Sequence, residues 1–305
     1  MTEPLKLGTR GSPLALVQAN MVREALCAAH GWDRDRVEIV PIRTTGDRRQ
    51  DVALAEIGGK ALWTKELDRA LLAGEIDFAV HSMKDVETVR PAAISIAAML
   101  PRADVSDRII GADSVVALRE GAVVGTSSPR RVAQVKRLRP DLVTILLRGN
   151  VDTRLAKVTA GEVDATLLAA AGLERLGRVE VGSCIPTEVM LPAPAQGAVG
   201  IEARTADDRV RALLSAIDHP PTHRCVLIER GLLAVLQADC HSPVAALATL
   251  DGETVTLRAE MFAEDGSAHV AGSLTGTLDD PTLAARLAQD LLERAPPSVR
   301  ALFAG

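Results

Sequence analysis

Tyrosine is absent from this chain of 305 residues, and the aromatic complement is three phenylalanines and two tryptophans. So few ring faces leave little for stacking on nucleic-acid bases. The net charge of −5 lacks the basic excess with which general nucleic-acid binders displace counterions. Missing too is any uninterrupted apolar run of about 18 residues, the length that marks a membrane-crossing helix. The start, Met1-Thr2-Glu3-Pro4-Leu5-Lys6, lacks the basic-then-apolar layout of a signal peptide. The expectation is a cytoplasmic protein with neither nucleic acid nor membrane as partner. Cys27, Cys184, Cys225 and Cys240 are too few to staple a chain this long and have no CxxC spacing, so reduced thiols and no metal are expected.

What is present is an ordinary globular balance, 47% apolar and 25% charged, long enough for two or three domains. The stretch that organises the rest is Phe78-Ala79-Val80-His81-Ser82-Met83-Lys84-Asp85. Leu67, Ala70, Leu71 and Leu72 fall at helical spacing, Gly74 reads as the helix stop, and Ile76 to Val80 reads as a short core strand. Titratable groups then sit at a strand's carboxyl end, the edge of an open α/β sheet where ligands collect.

Upstream, Leu5-Lys6-Leu7 reads as a strand, Gly8-Thr9-Arg10-Gly11 as a turn, and Ser12-Pro13 as the N-cap and first position of a helix. Strand, Gly-rich turn and capped helix make an anion site, with Arg10 as counter-charge. Val37 to Pro41 reads as a second strand, and Thr44-Thr45-Gly46-Asp47-Arg48-Arg49-Gln50-Asp51 as a long mobile loop of the kind that closes over ligands. The grammar returns at Val123-Val124-Gly125-Thr126-Ser127-Ser128-Pro129, and Ala73-Gly74-Glu75-Ile76-Asp77 is echoed by Ala160-Gly161-Glu162-Val163-Asp164. Two landmarks repeated in the same order predict two similar α/β lobes, as in two-lobed binding-protein folds. Crossings are expected near Leu100–Asp104 and Leu191–Gly197, with residues 197 to 216 rejoining the first lobe. The expected domains are 1–99 with 196–217, 100–195, and 218–305. The last is a small α+β domain: a helix with Ile228, Leu232, Leu233 and Leu236, three antiparallel strands joined at Asp251-Gly252 and Asp265-Gly266, and a closing helix. Cys240 lies between its first helix and its sheet.

Basic residues gather beside turns: Arg10, Lys60, Lys84, Arg130, Arg131, Arg148 and Arg154. Guanidinium forks suit carboxylate oxygens, and so many cations imply a polyanionic ligand, with roughly half of such a set expected to pair with the chain's own acids.

His81-Ser82-Met83-Lys84-Asp85, Gly8-Thr9-Arg10 with Ser12-Pro13-Leu14-Ala15, Gly58-Gly59-Lys60, Gly125-Thr126-Ser127-Ser128 with Arg130-Arg131, Leu147-Arg148-Gly149-Asn150 with Thr153-Arg154-Leu155, and Gln196-Gly197-Ala198-Val199-Gly200 together resemble the porphobilinogen deaminase (hydroxymethylbilane synthase) family. The matches run in order from about residue 5 to residue 245. The resemblance implies periplasmic-binding-protein-like lobes, a third domain, and a transferase of tetrapyrrole (haem) biosynthesis. Such an enzyme joins four porphobilinogen molecules head to tail and releases ammonia and hydroxymethylbilane. It also implies a monomer and a dipyrromethane cofactor held as a thioether by Cys240. By the same resemblance Asp85 is the catalytic aspartate, able to stabilise positive charge at a pyrrole nitrogen as ammonia departs and to relay protons afterwards. Lys60, Ser82, Lys84, Thr126, Ser128, Arg130 and Arg131 are then cofactor-binding, and Arg10, Ser12, Arg148, Arg154, Arg175 and Gln196 substrate-binding. The chain departs from the family's pattern at Ala238-Asp239 before the cysteine, at Pro243-Val244-Ala245 after it, and at Glu56, Ala61 and Trp63. The rival reading is a non-enzymatic two-lobed sensor that closes on a polycarboxylate.

Overall fold

Strand β1 (Leu5–Arg10) runs into a short turn, and helix α1 (Pro13–His30) starts where its sequence dictates. The Ser12 hydroxyl accepts from the Ala15 N–H at 3.3 Å, and Pro13 occupies a first-turn position whose N–H would be unpaired in any case. The computed structural model describes residues 3–42 and 64–303. The expected loop 44–51, Glu56, Lys60, Ala61 and Trp63 lie outside the described residues. Two compact units emerge, Met1–Ala103 with Ala198–His223, and Asp104–Gly197 with Arg224–Gly305.

The first unit holds β2 (Val37–Ile42), α2 (Lys65–Leu72), β3 (Phe78–Ser82), β4 (Ile94–Met99), β10 (Val199–Arg204) and α6 (Asp208–Ser215). Its sheet has the order β2-β1-β3-β10-β4, with β2, β1 and β3 parallel and β10 antiparallel to both neighbours. Ala19, Val22 and Leu26 of α1 pack with Leu7, Phe78, Val80 and Ile201 on one face. Leu67, Ala70 and Leu71 of α2 cover Ile76, Ala79 and Ile94 on the other. The strand expected at Ile76–Val80 begins at Phe78 and continues through Ser82. Pairing with β10 explains the shift, since His81 faces Gly200 and Ser82 faces Val199. Only Met83-Lys84-Asp85 leaves the sheet, as one 3-10 turn.

The second unit repeats the design. It contains β5 (Asp107–Ile110), β6 (Val123–Gly125), α3 (Pro129–Leu138), β7 (Val143–Ile145), α4 (Val151–Thr159), β8 (Ala165–Ala169), α5 (Ala170–Arg175) and β9 (Ser183–Ile185). Its sheet order, β7-β6-β8-β5-β9, has β7, β6 and β8 parallel and β5 antiparallel to both neighbours. The repeated five-residue landmark does the same work in each lobe. Ala73 and Ala160 are C-caps with φ −76 and ψ −6, followed by Gly74 and Gly161 at φ +72, a left-handed stop that favours glycine. The Asp77 carboxylate then accepts from the Lys6 N–H at 2.8 Å, and Asp164 from the Val123 N–H at 2.7 Å. Each aspartate therefore clamps the strand that leads into the serine-capped helix of its own lobe.

A three-stranded antiparallel sheet, β11 (Val244–Asp251), β12 (Thr254–Phe262) and β13 (His269–Thr277), completes the second unit with α7 (Pro220–Val235) from Arg224 onward, α8 (Leu283–Arg294) and α9 (Pro297–Arg300). Pro220 and Pro221 open α7. Leu232 and Leu236 of α7, Leu257 and Met261 of β12 and Leu287 and Leu291 of α8 share one core. A second cluster joins Ala133 of α3 and Leu191 to Ala245, Leu247 and Phe262. The Glu229 carboxylate, fully buried, staples the same region by accepting from the N–H groups of Ala195 at 2.6 Å and Ala248 at 2.8 Å.

The tip of the β12–β13 hairpin presses on α3 at Gly266, which has φ +72 and where a Cβ would stand 2.4 Å from the Ala133 carbonyl oxygen. Neither the backbone angle nor the helix can yield cheaply. Gly266→Ala is expected to destabilise the protein by about 1–3 kcal/mol, read as a lowered midpoint in urea; an unchanged midpoint would show that the hairpin does not dock there.

Candidate active site

In the first unit the turn after β1, the start of α1 and the end of β3 enclose a small pocket, about 70 Å³ in volume, whose polar lining is Arg10, Ser12, Gln18, Thr64, His81, Ser82 and Asp85. Arg10, Ser12, Ser82 and Asp85, all expected at the site, are thus brought together. Gln18 was not expected. It is a buried amide on the apolar face of α1, and its Nε2 donates to Ser82 Oγ at 2.8 Å. Lys84 shares the 3-10 turn with Asp85 and is half-buried.

Behind the pocket lies a buried ionic network. Glu202 of β10 is fully buried and receives Arg90 through Nε at 2.8 Å and a terminal nitrogen at 2.9 Å. His81 Nε2 lies 3.1 Å from the same carboxylate. Arg90 also binds Asp68 and Glu87, each at 2.5 Å. Burial pushes the Glu202 carboxyl up, but His81 and Arg90 outweigh it and hold it at about 2. Burial prevails at Asp68, whose carboxyl is raised.

The second unit carries Arg130, Arg131, Arg148, Arg154 and Arg175. Arg130 and Arg131, in the first turn of α3, each take one oxygen of Asp107 at 2.7 Å, and all three side chains are buried. Arg130 also donates to Gln134 at 2.8 Å and to the Leu191 carbonyl at 2.9 Å, and Arg131 donates to the Leu167 carbonyl at 2.8 Å. Gln196, fully buried, donates from Nε2 to Asp107 at 2.9 Å and to the Val105 carbonyl at 2.7 Å. Burial pushes the Asp107 carboxyl up, yet the two guanidiniums hold it well below the usual carboxylate range. Burial lowers Arg130 and Arg175. Among the described residues the buried Nε atoms of Arg130, Arg131 and Arg175 have no acceptor.

Thr126 is buried, and the Ser128 hydroxyl caps α3 by accepting from the Arg131 N–H at 3.4 Å. Arg148 is half-buried. Arg154 donates to the Gly149 carbonyl at 3.0 Å and to Ser127 Oγ at 3.3 Å, and Arg175 donates to the Gly197 carbonyl at 2.6 Å. Asn150 rather than Arg148 sets the start of α4, accepting from the Thr153 N–H at 2.9 Å.

Cys240 is exposed and outside any disulfide, in a tight turn between α7 and β11. The Asp239 carboxylate accepts from the His241 N–H at 2.8 Å, and Ser242 Oγ from the Asp239 N–H at 3.1 Å. Gln237 takes the left-handed conformation at φ 52, so a non-glycine residue makes the bend ahead of the cysteine, and Asp239 adds a side-chain hydrogen bond.

Sequence reasoning passed over Asp107, Glu202 and Arg90. Their signal was present: an acid inside an otherwise apolar strand, as in Val199-Gly200-Ile201-Glu202-Ala203, is rarely buried without a cationic partner.

Two like α/β lobes, each with a serine-capped helix start beside arginine, and a small α+β module with an exposed cysteine define a class of two-lobed α/β proteins carrying an added C-terminal module. The family model described as "porphobilinogen deaminase, dipyromethane cofactor binding domain" matches residues 5–212, and that for the porphobilinogen deaminase C-terminal domain matches residues 223–295. Porphobilinogen deaminase of Sphingopyxis alaskensis is 60% identical, with 99% of this chain and 97% of the relative covered. That of Paracoccus denitrificans is 48% identical, with 96% and 95% covered. A solved periplasmic substrate-binding protein of an ABC transporter from Coxiella burnetii is similar at 14% identity, covering 74% of this chain and 95% of that chain with a TM-score of 0.43. The chain belongs to the porphobilinogen deaminase family.

Asp107→Asn leaves two buried guanidiniums sharing a neutral amide. A loss of about 3–5 kcal/mol is expected in urea unfolding. Because the folded carboxyl is depressed, the stability from this pairing is complete above the unfolded value near 4 and declines as pH falls below it. The parent's stability should therefore drop more steeply than the variant's below about pH 4; parallel curves would contradict the assignment.

Proposed function

We propose that this chain is a hydroxymethylbilane synthase: it condenses porphobilinogen head to tail on a dipyrromethane primer, forming one carbon–carbon bond and releasing one ammonia per unit added, with water freeing the linear product at the end. The observation that carries the reading is the family match over nearly the whole chain, on residues whose chemistry suits a polycarboxylate. The site fits the primer in two respects. Cys240 offers an exposed thiol, and the unpartnered Nε–H groups of Arg130, Arg131 and Arg175 are donors that carboxylate oxygens satisfy. The primer, when bound, supplies the free pyrrole α-carbon that receives the first substrate unit.

The chain's own residues do the remaining work. Asp85 stabilises positive charge at the pyrrole nitrogen as ammonia leaves and accepts the α-proton lost after the new bond forms. Arg10 and Ser12 line its pocket and hold substrate carboxylates, with Arg148, Arg154 and Arg175 serving substrate or chain and Gln196 supporting them. Lys60, Ser82, Lys84, Thr126, Ser128, Arg130 and Arg131 bind the primer. A thioether at Cys240 suits a primer that must stay while product is hydrolysed away. The working form is a cytoplasmic monomer of three domains, 1–99 with 196–217, 100–195 and 218–305. Among the described residues no helix is long and apolar enough to cross a membrane.

Asp85→Asn is expected to lower turnover by about 10²–10⁴-fold while leaving the thermal midpoint near the parent's; near-parental turnover would remove Asp85 from the mechanism. Intact mass should show an excess of two porphobilinogen-derived units on the parent and none on Cys240→Ala. A bare parent mass, unchanged after incubation with porphobilinogen, would favour a polycarboxylate sensor instead.

A further inference from the structure

Gln18 stands where an apolar side chain would pack. It shares the buried face of α1 with Ala19, Val22, Leu26 and Cys27 and is 2% exposed. An amide in such a place loses its water, a cost that hydrogen bonds must offset. Both ends of this amide meet one group. Nε2 donates to Ser82 Oγ at 2.8 Å, and the Ser82 hydroxyl donates to Oε1 at 3.1 Å. Ser82 is the last residue of β3. Both residues line the Asp85 pocket, and Ser82, half-buried, is the more exposed of the two.

A hydroxyl has one proton and two lone pairs, so the two contacts are compatible: Oγ accepts from Nε2 and gives its own proton to Oε1. A carboxylate is a stronger acceptor than a neutral amide oxygen. Rotation about the Cβ–Oγ bond hands the proton to it, while the shorter contact from Nε2 remains and keeps the oxygen in place. Glutamine therefore serves the hydroxyl in both orientations. A glutamate in its place could only accept, which would hold the proton away from an anionic ligand, and an apolar side chain would leave the serine rotamer unrestrained.

We propose that Gln18 is a positioning residue for primer binding: its amide fixes the Ser82 hydroxyl and, by donating to Oγ, leaves the hydroxyl proton for a carboxylate of the dipyrromethane. The inference rests on the synthase reading above, in which Ser82 binds the primer. A parent that never gains the primer mass ends that reading. A parent that gains it, with Gln18 variants that gain it equally fast, ends this one alone.

The test uses full-length, primer-free protein made in cells unable to form porphobilinogen. On incubation with porphobilinogen, intact mass follows the rate at which two pyrrole units appear on the chain. Ser82→Ala is expected to slow this about tenfold, the loss of one hydrogen bond to a charged acceptor. Gln18→Met, which keeps the volume and removes the amide, is expected to slow it about three- to tenfold. The two together should be no slower than Ser82→Ala alone, because Gln18 acts through the hydroxyl. Gln18→Glu should be slower than Gln18→Met. In ¹H–¹⁵N spectra the Gln18 side-chain amide should shift when the parent is loaded with primer, and shift less in Ser82→Ala. A parental rate in either single variant, a double variant slowed by the product of the two single effects, or a Gln18 amide signal unchanged by loading of the parent would each overturn the proposal. Should Gln18→Met fail to fold, Gln18→Glu and the spectra of the parent decide the matter alone.

Discussion

A carboxylate without solvent is tolerable only beside a cation that stays charged, and each lobe is assembled around one such pairing. In the first, Glu202 on β10 meets Arg90; in the second, Asp107 on β5 meets Arg130 and Arg131. Both acids stand on the one strand that runs antiparallel to its two neighbours, so the charge pair ties the odd strand to the rest of the lobe. Removing one partner would leave an uncompensated buried charge, which makes these pairs hard to change singly. Depressed carboxyl values at both sites mean that the pairs stay ionised at neutral pH.

The proposed function draws on the same pairs. Arg130 and Arg131 are positioned by Asp107, by carbonyl oxygens and by the cap at Ser128, which orders two long side chains before any ligand arrives. Ordering in advance lowers the entropy that a polycarboxylate must offset on binding. In the first lobe, Glu202 contacts His81 in the wall of the Asp85 pocket and is itself held by Arg90. On the proposed function, a growing pyrrole chain brings several carboxylates at once, and guanidiniums already held by the chain's own acceptors would offer their remaining N–H donors in a fixed fork without moving whole side chains.

Much of the architecture was legible in local sequence because local physics decided it. Ser12-Pro13 and Ser128-Pro129 start helices through caps, Gly74 and Gly161 stop them through φ, and Asp251-Gly252 and Asp265-Gly266 turn hairpins. Less legible was how far β3 runs, since polar composition at His81 and Ser82 reads as loop while cross-strand pairing with Gly200 and Val199 makes it strand. The site divides the same way. Asp85, Arg10 and Cys240 stood out as charge or thiol and Ser12 as a helix cap, whereas Gln18 and Glu202 lie within apolar runs and show their contacts only when their partners are known.

The sequence by itself determined the two like lobes, the three-stranded C-terminal sheet, the family and the kinds of residue available for binding anions, because periodicity, caps and motifs act within a few residues of one another. Only the tertiary structure decided which cations are committed. Asp107 is separated by more than twenty residues from the arginines it holds, and Glu202 by more than a hundred from Arg90. Such pairings depend on which strands lie side by side, and burial then sets their strength by removing the water that would otherwise screen them.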